Sequence, residues 1–305
     1  MISFIKKWGY LGLTVLLFNS CTSDETANLP DTEDRGTIYI SADESFKPVI
    51  DSQIQVYEAS HPETKIIAQY KPEAECLRDF AIDSIRMIIA TRSYSKEEEN
   101  FMLDSMKVGP SKMTIAYDAV AVIVNPQSPD TLFTMDDIRA LVTGKSAKKL
   151  QPVFDGVRAT STVRYMIDSV LHGGSLGANV VAADNSQGVI DYVAKTKNAV
   201  GFIGVSWIGN PEDSTQLSYL EKIKVAQLQS TDDSDTYVTP AQYNIYYRRY
   251  PMIRDLIYTL KENHRGLGHG FASFLTAQRG QLIFKRSYLM PALMNFNVRT
   301  ANIRE

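Results

Sequence analysis

Cysteine is nearly absent from this 305-residue chain, which carries only Cys21 and Cys76. Cys21 lies at the end of an apolar leader, so the mature protein has no pair from which to form an intramolecular disulfide. Cys76 then reads as a small buried hydrophobe. Long apolar runs are missing too. The leader's GYLGLTVLLF has about ten residues, where a membrane span needs about 20. There is no surplus of positive charge: 32 Lys and Arg face 35 Asp and Glu, for a net charge of −3. That excludes the basic footprint of a nucleic-acid binder. The histidines His61, His172, His264 and His269 show no H-E-x-x-H spacing. No G-x-S-x-G nucleophile elbow occurs. GLGHG follows a helical stretch instead of a strand, so it reads as a turn between helices. No catalytic residue, metal site or cofactor is expected. What remains is a globular composition, 44% hydrophobic and 22% charged.

The N-terminus sets the compartment. MISFIKKW supplies Lys6 and Lys7, the apolar run follows, and NSC brings small and polar residues up to Cys21. This is the order of a secretion signal over residues 1–20. FNSC resembles a bacterial lipobox, which implies acylation of Cys21 and a lipid anchor. The next stretch, TSDETANLPDTEDRG, is acidic and almost free of bulky apolar groups. It cannot bury enough surface to order itself, so residues 21–35 are expected to be the acylated Cys and a flexible tether. The expected location is that of an exported bacterial lipoprotein, membrane-anchored, in the periplasm or at the cell surface.

Removing the leader leaves about 285 residues, enough for one large or two ordinary domains. Strand and helix patterns alternate. GTIYISA, TKIIAQY and IRMIIAT read as strands, and FKPVIDSQIQVYEASHP, CLRDFAID and SKEEENFMLDSM as helices. SKMTIAY and AVAVIVN are two further strands. The order then restarts: FTMDDIRALVTG is a helix capped by Thr134, LQPVFD a strand, TSTVRYMIDSVL an amphipathic helix. VVAAD, SQGVIDYVAKT and NAVGFIGVSW continue as strand, helix, strand, and QLSYLEKIKVAQL reads as sheet. The C-terminal RYPMIRDLIYTLKEN, HGFASFLTA and QRGQLIFKRSYLM read as helical. Such an order predicts an α/β fold with mixed, mostly parallel sheets flanked by helices.

SADESFKPVI, DAVAVIVNPQSPDTLFTMDDIRALVTG, STVRYMID, DNSQGVIDYVAKTKNAVGFIGV, YYRRYPMIRDLIY and FASFLTAQRGQLIFKRSYLMPA occur in this order. From Gly36 to Ala292 the chain resembles the phosphate-binding proteins of ABC phosphate uptake systems. The resemblance implies a two-lobed periplasmic-binding-protein fold of type II with two hinge crossings. Lobe 1 would be residues 36–116 plus 237–305, and lobe 2 residues 117–236. It implies a monomer that captures a small anion, phosphate above all, and passes it to an ABC permease. A binding or sensing module that reuses the fold without transport, with a different ligand or none, is the alternative.

In open α/β sheets a ligand sits at the carboxyl ends of strands, beside helix N-termini whose free N–H groups and dipole favour anions. Ser45 and Phe46 lie between TIYIS and FKPVI, and Thr160, Ser161 and Thr162 between PVFD and VRYMID. By the resemblance these two stretches are the halves of an anion clamp in opposite lobes. The family's cleft arginine is replaced by Gly156, so Arg158 or Arg164 is expected to reach the anion instead. Asn185 and Ser186 begin another helix in the same lobe and are candidates for the cleft wall, with capping the simpler role for Ser186.

Two departures bear on the ligand. The family's Gly-Ser stretch is KPEAECLRDF here, bringing Glu73 and Glu75 toward the cleft wall. The family's Ala-Ser-Asp, whose Asp accepts the proton of phosphate and repels sulfate, is replaced by Thr91 and Arg92. A bare carboxylate facing an anion is costly, so Arg92 is expected to pair with Glu73 or Glu75. The tyrosines Tyr243, Tyr246, Tyr247 and Tyr250 read as packing groups.

Overall fold

The longest strand of the fold contributes to three cores, and the rest of the architecture is arranged about it. The computed structural model describes residues 31–107, 109–156 and 160–294. Cys21, most of the tether and Arg158 lie outside the described residues. In chain order the elements are β1 (Arg35–Asp43), α1 (Lys47–Ser60), β2 (Glu63–Lys71), α2 (Glu73–Asp79), β3 (Ile85–Ala90), α3 (Lys96–Met106) and β4 (Ser111–Val124). Next come β5 (Leu132–Phe133), α4 (Met135–Val142), β6 (Gln151–Phe154), α5 (Ser161–Tyr165), β7 (Val181–Ala182), α6 (Ser186–Lys195) and β8 (Ala199–Gly204). The chain continues through α7 (Ser214–Leu220), β9 (Lys224–Val225), β10 (Gln227–Gln229), β11 (Tyr237–Val238) and α8 (Gln242–Tyr246). It ends with β12 (Ile253–Leu260), α9 (Leu267–Thr276), α10 (Gln278–Arg286) and β13 (Met290–Pro291).

The main sheet runs β2-β1-β3-β12-β4-β8-β6-β7. Its two ends are parallel: β1 with β2 and β3, and β6 with β7 and β8. Its middle is antiparallel, because β12 and β4 run against their neighbours. SKMTIAY and AVAVIVN form one continuous strand, β4. Its Ile115 and Ala116 pack into one core with Ile40, Phe46, Met87, Leu256 and Phe271. Past Asp118 the side chains alternate between two further cores. Val122 and Val124 face Phe154, Phe202 and Tyr250, while Ala121 and Ile123 face Val153, Val189 and Ile203.

Two segments take another element type than the sequence predicts. RYPMIRDLIYTLKEN carries the strand β12 where a helix is expected. Its apolar Ile253, Leu256, Ile257 and Leu260 fit a 3.6-residue period, but Arg254, Leu256 and Tyr258 also alternate and are buried. Burial between the open edges of β3 and β4 decides for the strand. Gln216–Leu220 lies in α7, not in a sheet, because Asp213 caps Thr215 N at 2.8 Å and starts a helix. TSTVRYMIDSVL is helical as expected, yet after Tyr165 it widens into a π-turn over Met166–Val170. Among the described residues no helix is long and apolar enough to cross a membrane.

Candidate functional site

The ends of β1 and β6, the start of α5 and the paired β4 and β12 meet over a buried network of charged and hydroxyl groups. At the end of β1, Asp43 Oδ1 accepts a hydrogen bond from Ser45 N at 3.0 Å and so starts the 3-10 turn Glu44–Phe46 before α1. Ser45 Oγ donates to Asp155 Oδ2 at 3.4 Å and lies 3.3 Å from Ser161 Oγ. The fully buried Phe46 ring lies 5.1 Å beneath the Arg254 guanidinium. On the other side of the cluster, Thr160 caps α5 by accepting from Val163 N at 3.2 Å. Thr162 Oγ1 donates to Asp155 Oδ2 at 3.1 Å. The structure thus brings Ser45, Ser161 and Thr162 together, and gives Thr160 a capping role.

Arg254 and Asp118 join this cluster, and sequence reasoning missed both. They are directly opposite in the β4–β12 register. Arg254 Nε donates to Asp118 Oδ2 at 2.8 Å, and its Nη1 donates to Ser161 Oγ at 2.9 Å and Thr162 Oγ1 at 3.3 Å. Asp118 Oδ1 accepts from Val205 N at 3.2 Å. A signal was present: Asp118 is a lone charge within the apolar YDAVAVIV, and Arg254 is the one cation within the apolar MIRDLIY. Within this cluster three buried atoms have no hydrogen-bond partner among the described residues: Arg254 Nη2, Asp43 Oδ2 and Asp155 Oδ1.

Glu73, at the start of α2, is buried and is not paired with Arg92. Its carboxylate accepts from Thr91 N at 2.9 Å, from Thr91 Oγ1 at 2.5 Å and from both Nε and Nη2 of Arg164. Arg164 reaches this position because α5 faces α2 across the cleft, whereas Arg92 turns outward to Ser93 O at 3.2 Å and Glu98 at 3.5 Å. The expected Arg92–glutamate pair is therefore replaced by Arg164–Glu73. Glu75 is half-buried, and its side chain makes no hydrogen bond or ion pair among the described residues. Asn185, not Ser186, caps α6, accepting from Gly188 N at 2.9 Å. Ser186 N and Oγ donate instead to Glu44, with Oγ at 3.0 Å, so a second carboxylate crosses the cleft.

Four buried carboxylates (Asp43, Glu73, Asp118, Asp155) share two guanidiniums, Arg164 and Arg254, while the half-buried Glu44 is held by Ser186. Burial, then the Glu73 charge, push Asp43 up to about 7 against the pull of Arg254. Burial, then the Asp155 charge, push Glu44 up to about 7. Burial also raises Asp118 and Asp155. For Glu73 burial is outweighed by the Arg164 hydrogen bond and charge, which hold it below the usual glutamate range. The arginines keep their charge: burial disfavours it, but Glu73 around Arg164 and Asp118 around Arg254 outweigh burial. Among the described residues no group of three or more His, Cys, Asp or Glu side chains is arranged to hold a metal ion.

The sequence profile of the PBP superfamily domain matches residues 28–279. No curated protein matches the chain. Among solved structures, one described as a phosphate ABC transporter substrate-binding protein with bound phosphate, from Clostridium perfringens, is similar at a TM-score of 0.70 and 20% identity. The match covers 84% of this chain and 100% of that one. An ABC-type phosphate transport receptor from Vibrio cholerae is similar at a TM-score of 0.62 and 17% identity, over 84% and 100% of the two chains. The substrate-binding domain of a protein described as a molybdenum ABC transporter, from Clostridium difficile, follows at 0.50 and 16%, over 84% and 99%. At these identities the likeness is one of fold.

Proposed function

The chain belongs to the PBP superfamily, and from that premise we propose that it is a solute-binding protein that captures a small oxyanion between its lobes for ABC-type uptake. Inorganic phosphate is the ligand that the site favours. The carrying observation is the trio of unpartnered buried atoms, one guanidinium nitrogen and two carboxylate oxygens, beside the Ser45, Ser161 and Thr162 hydroxyls. An oxyanion that keeps a proton satisfies both kinds of group: its charged oxygens accept from Arg254 Nη2, and its hydroxyl donates to Asp43 or Asp155. Sulfate brings no proton and would face carboxylates unpaired, at a cost. Phosphate is also named for the Clostridium perfringens and Vibrio cholerae proteins.

Ser45 and Ser161 now meet across the cleft, so capture begins with the lobes apart, and the anion's affinity for the closed state drives closure. For the lobe division, side-chain packing supports a first crossing in β4 near Ala116–Ala119. Val238, Ile245, Tyr250 and Met252 pack with the second lobe, which supports a second crossing near Ile253–Leu256 in place of Thr236. The leader and lipobox support an exported lipoprotein held through Cys21. A sensing module with a different ligand is the second reading, favoured by Glu73, whose carboxylate already satisfies donors from both lobes. A thermal-shift panel on the full-length protein separates the two. Stabilisation by phosphate above sulfate, an amino acid and a sugar is expected for uptake. No shift with any anion contradicts it.

A further inference from the structure

We infer that Thr91 and Arg164 form a second oxyanion subsite in the cleft, filled by the chain's own Glu73 carboxylate, and that a free oxyanion enters it by displacing Glu73. This rests on the proposal that the cleft takes small oxyanions, and adds where a second such group binds and which residue controls access. Thr91 N and Oγ1, at the end of β3, converge on the same carboxylate as Arg164 Nε and Nη2 from the facing lobe. Arg164 Nη2 also donates to Thr91 Oγ1 at 2.7 Å, which fixes the guanidinium in place. A backbone N–H, a hydroxyl and a two-pronged guanidinium aimed at two oxygens make a built oxyanion cradle. Glu73 occupies it from the first turn of α2, where an acid ordinarily stays in solvent. Its side chain is only 2% exposed. Burying an ion pair is weak evidence for stability alone, because two well-packed apolar residues would do as well.

The cradle is not sealed. Glu73 and Arg164 line an open groove of about 500 Å³ together with Leu77, Arg78, Arg92 and Tyr94. The Arg78 guanidinium has no ion-pair or hydrogen-bond partner among the described residues, and Arg92 meets Glu98 only at 3.5 Å. Asp168 and Glu98 also line the groove and pair with Arg164 at 3.4 Å and Arg92 at 3.5 Å, which leaves the Arg78 guanidinium to receive an arriving oxyanion or the displaced Glu73 carboxylate. In this arrangement Glu73 is a tethered competitor. It lowers the cleft's affinity for free oxyanion and keeps the lobes bridged until one arrives, and removing it opens the cradle.

The test compares full-length wild type with Glu73→Ala and Glu73→Gln, by thermal shift and calorimetry, in sodium formate and sodium phosphate against sodium chloride at equal ionic strength. Glu73→Ala is expected to lose thermal stability and recover it saturably with formate, which replaces the missing carboxylate, and to bind phosphate at least tenfold more tightly than wild type. Glu73→Gln keeps the shape without the charge and is expected to gain phosphate affinity several-fold, so it answers the question if the alanine variant fails to fold. Responses no larger than those to chloride, with phosphate affinity unchanged, overturn the subsite. If wild type binds phosphate through Arg254 and the variants gain nothing, the subsite falls and the proposed function stands. Binding confined to the Glu73 variants upholds the subsite and overturns the proposed function.

Discussion

Arg254→Met removes the centre of the network with little change in side-chain length. Arg254 and Asp118 are both essentially buried, with side-chain exposures of 2% and 0%. After the substitution Asp118 keeps the Val205 N–H but loses its counter-ion. Breaking a buried pair by deleting one partner costs about 3–5 kcal/mol. At roughly 2–4 °C per kcal/mol for a domain of this size, Tm falls by about 6–20 °C. Adding Asp118→Leu removes the stranded charge. A buried pair replaced by apolar groups is often neutral or better, so the double variant recovers most of the loss. Phosphate binding does not recover, because the guanidinium is still gone. Differential scanning calorimetry reads the stability cycle and isothermal titration reads the binding. A single variant within about 1 kcal/mol of wild type, or a double variant that still binds phosphate, refutes the reasoning.

The raised carboxyls make stability depend on pH. Asp43 and Glu44 ordinarily titrate near 4, and in the folded protein near 7. Between those values the folded state holds protons that the unfolded chain has lost, so stability falls as pH rises through this window. Glu73 acts oppositely, its contribution being lost as pH falls below the usual glutamate range. Tm in matched buffers is therefore expected to be lower at pH 8 than at pH 5.5, and a rise contradicts the assignment. Gly204→Ala is expected to weaken anion binding, because a Cβ there would lie 3.0 Å from Arg254 Nη2, 3.2 Å from Asp118 Oδ2 and 3.3 Å from Ser45 O. An unchanged titration isotherm for that variant would place the ligand elsewhere. The Cys76 thiol is fully buried and pushed up to about 12 by burial, so it should react with a disulfide reagent only after denaturant is added. Rapid labelling of native protein contradicts this.

Much of the fold was legible in the sequence because alternation and capping act locally. Thr134 with Asp137 and Ser95 with Glu98 form capping boxes at helices that the sequence places correctly. The strand β12 was not legible. Its apolar positions satisfy both periods, and only the neighbouring edges of β3 and β4 choose between them. That ambiguity hid Arg254, the cation at the middle of the cleft. Ser45, Ser161 and Thr162 could be found because a strand end followed by a helix start puts hydroxyls at the cleft. The pairing of Glu73 with Arg164 could not, since it depends on how α2 and α5 face each other, 91 residues apart in sequence. Glu44 escaped for the same reason, since Ser186 is brought to it only by lobe packing.

The central claim, that the buried cluster around Arg254 holds a protonated oxyanion, is tested most directly by isothermal titration of full-length protein freed of bound anion. Phosphate and sulfate are titrated separately at neutral pH. Saturable phosphate binding with one site per chain, and no measurable heat with sulfate, is the predicted result. No binding of phosphate, or equal binding of both anions, contradicts it.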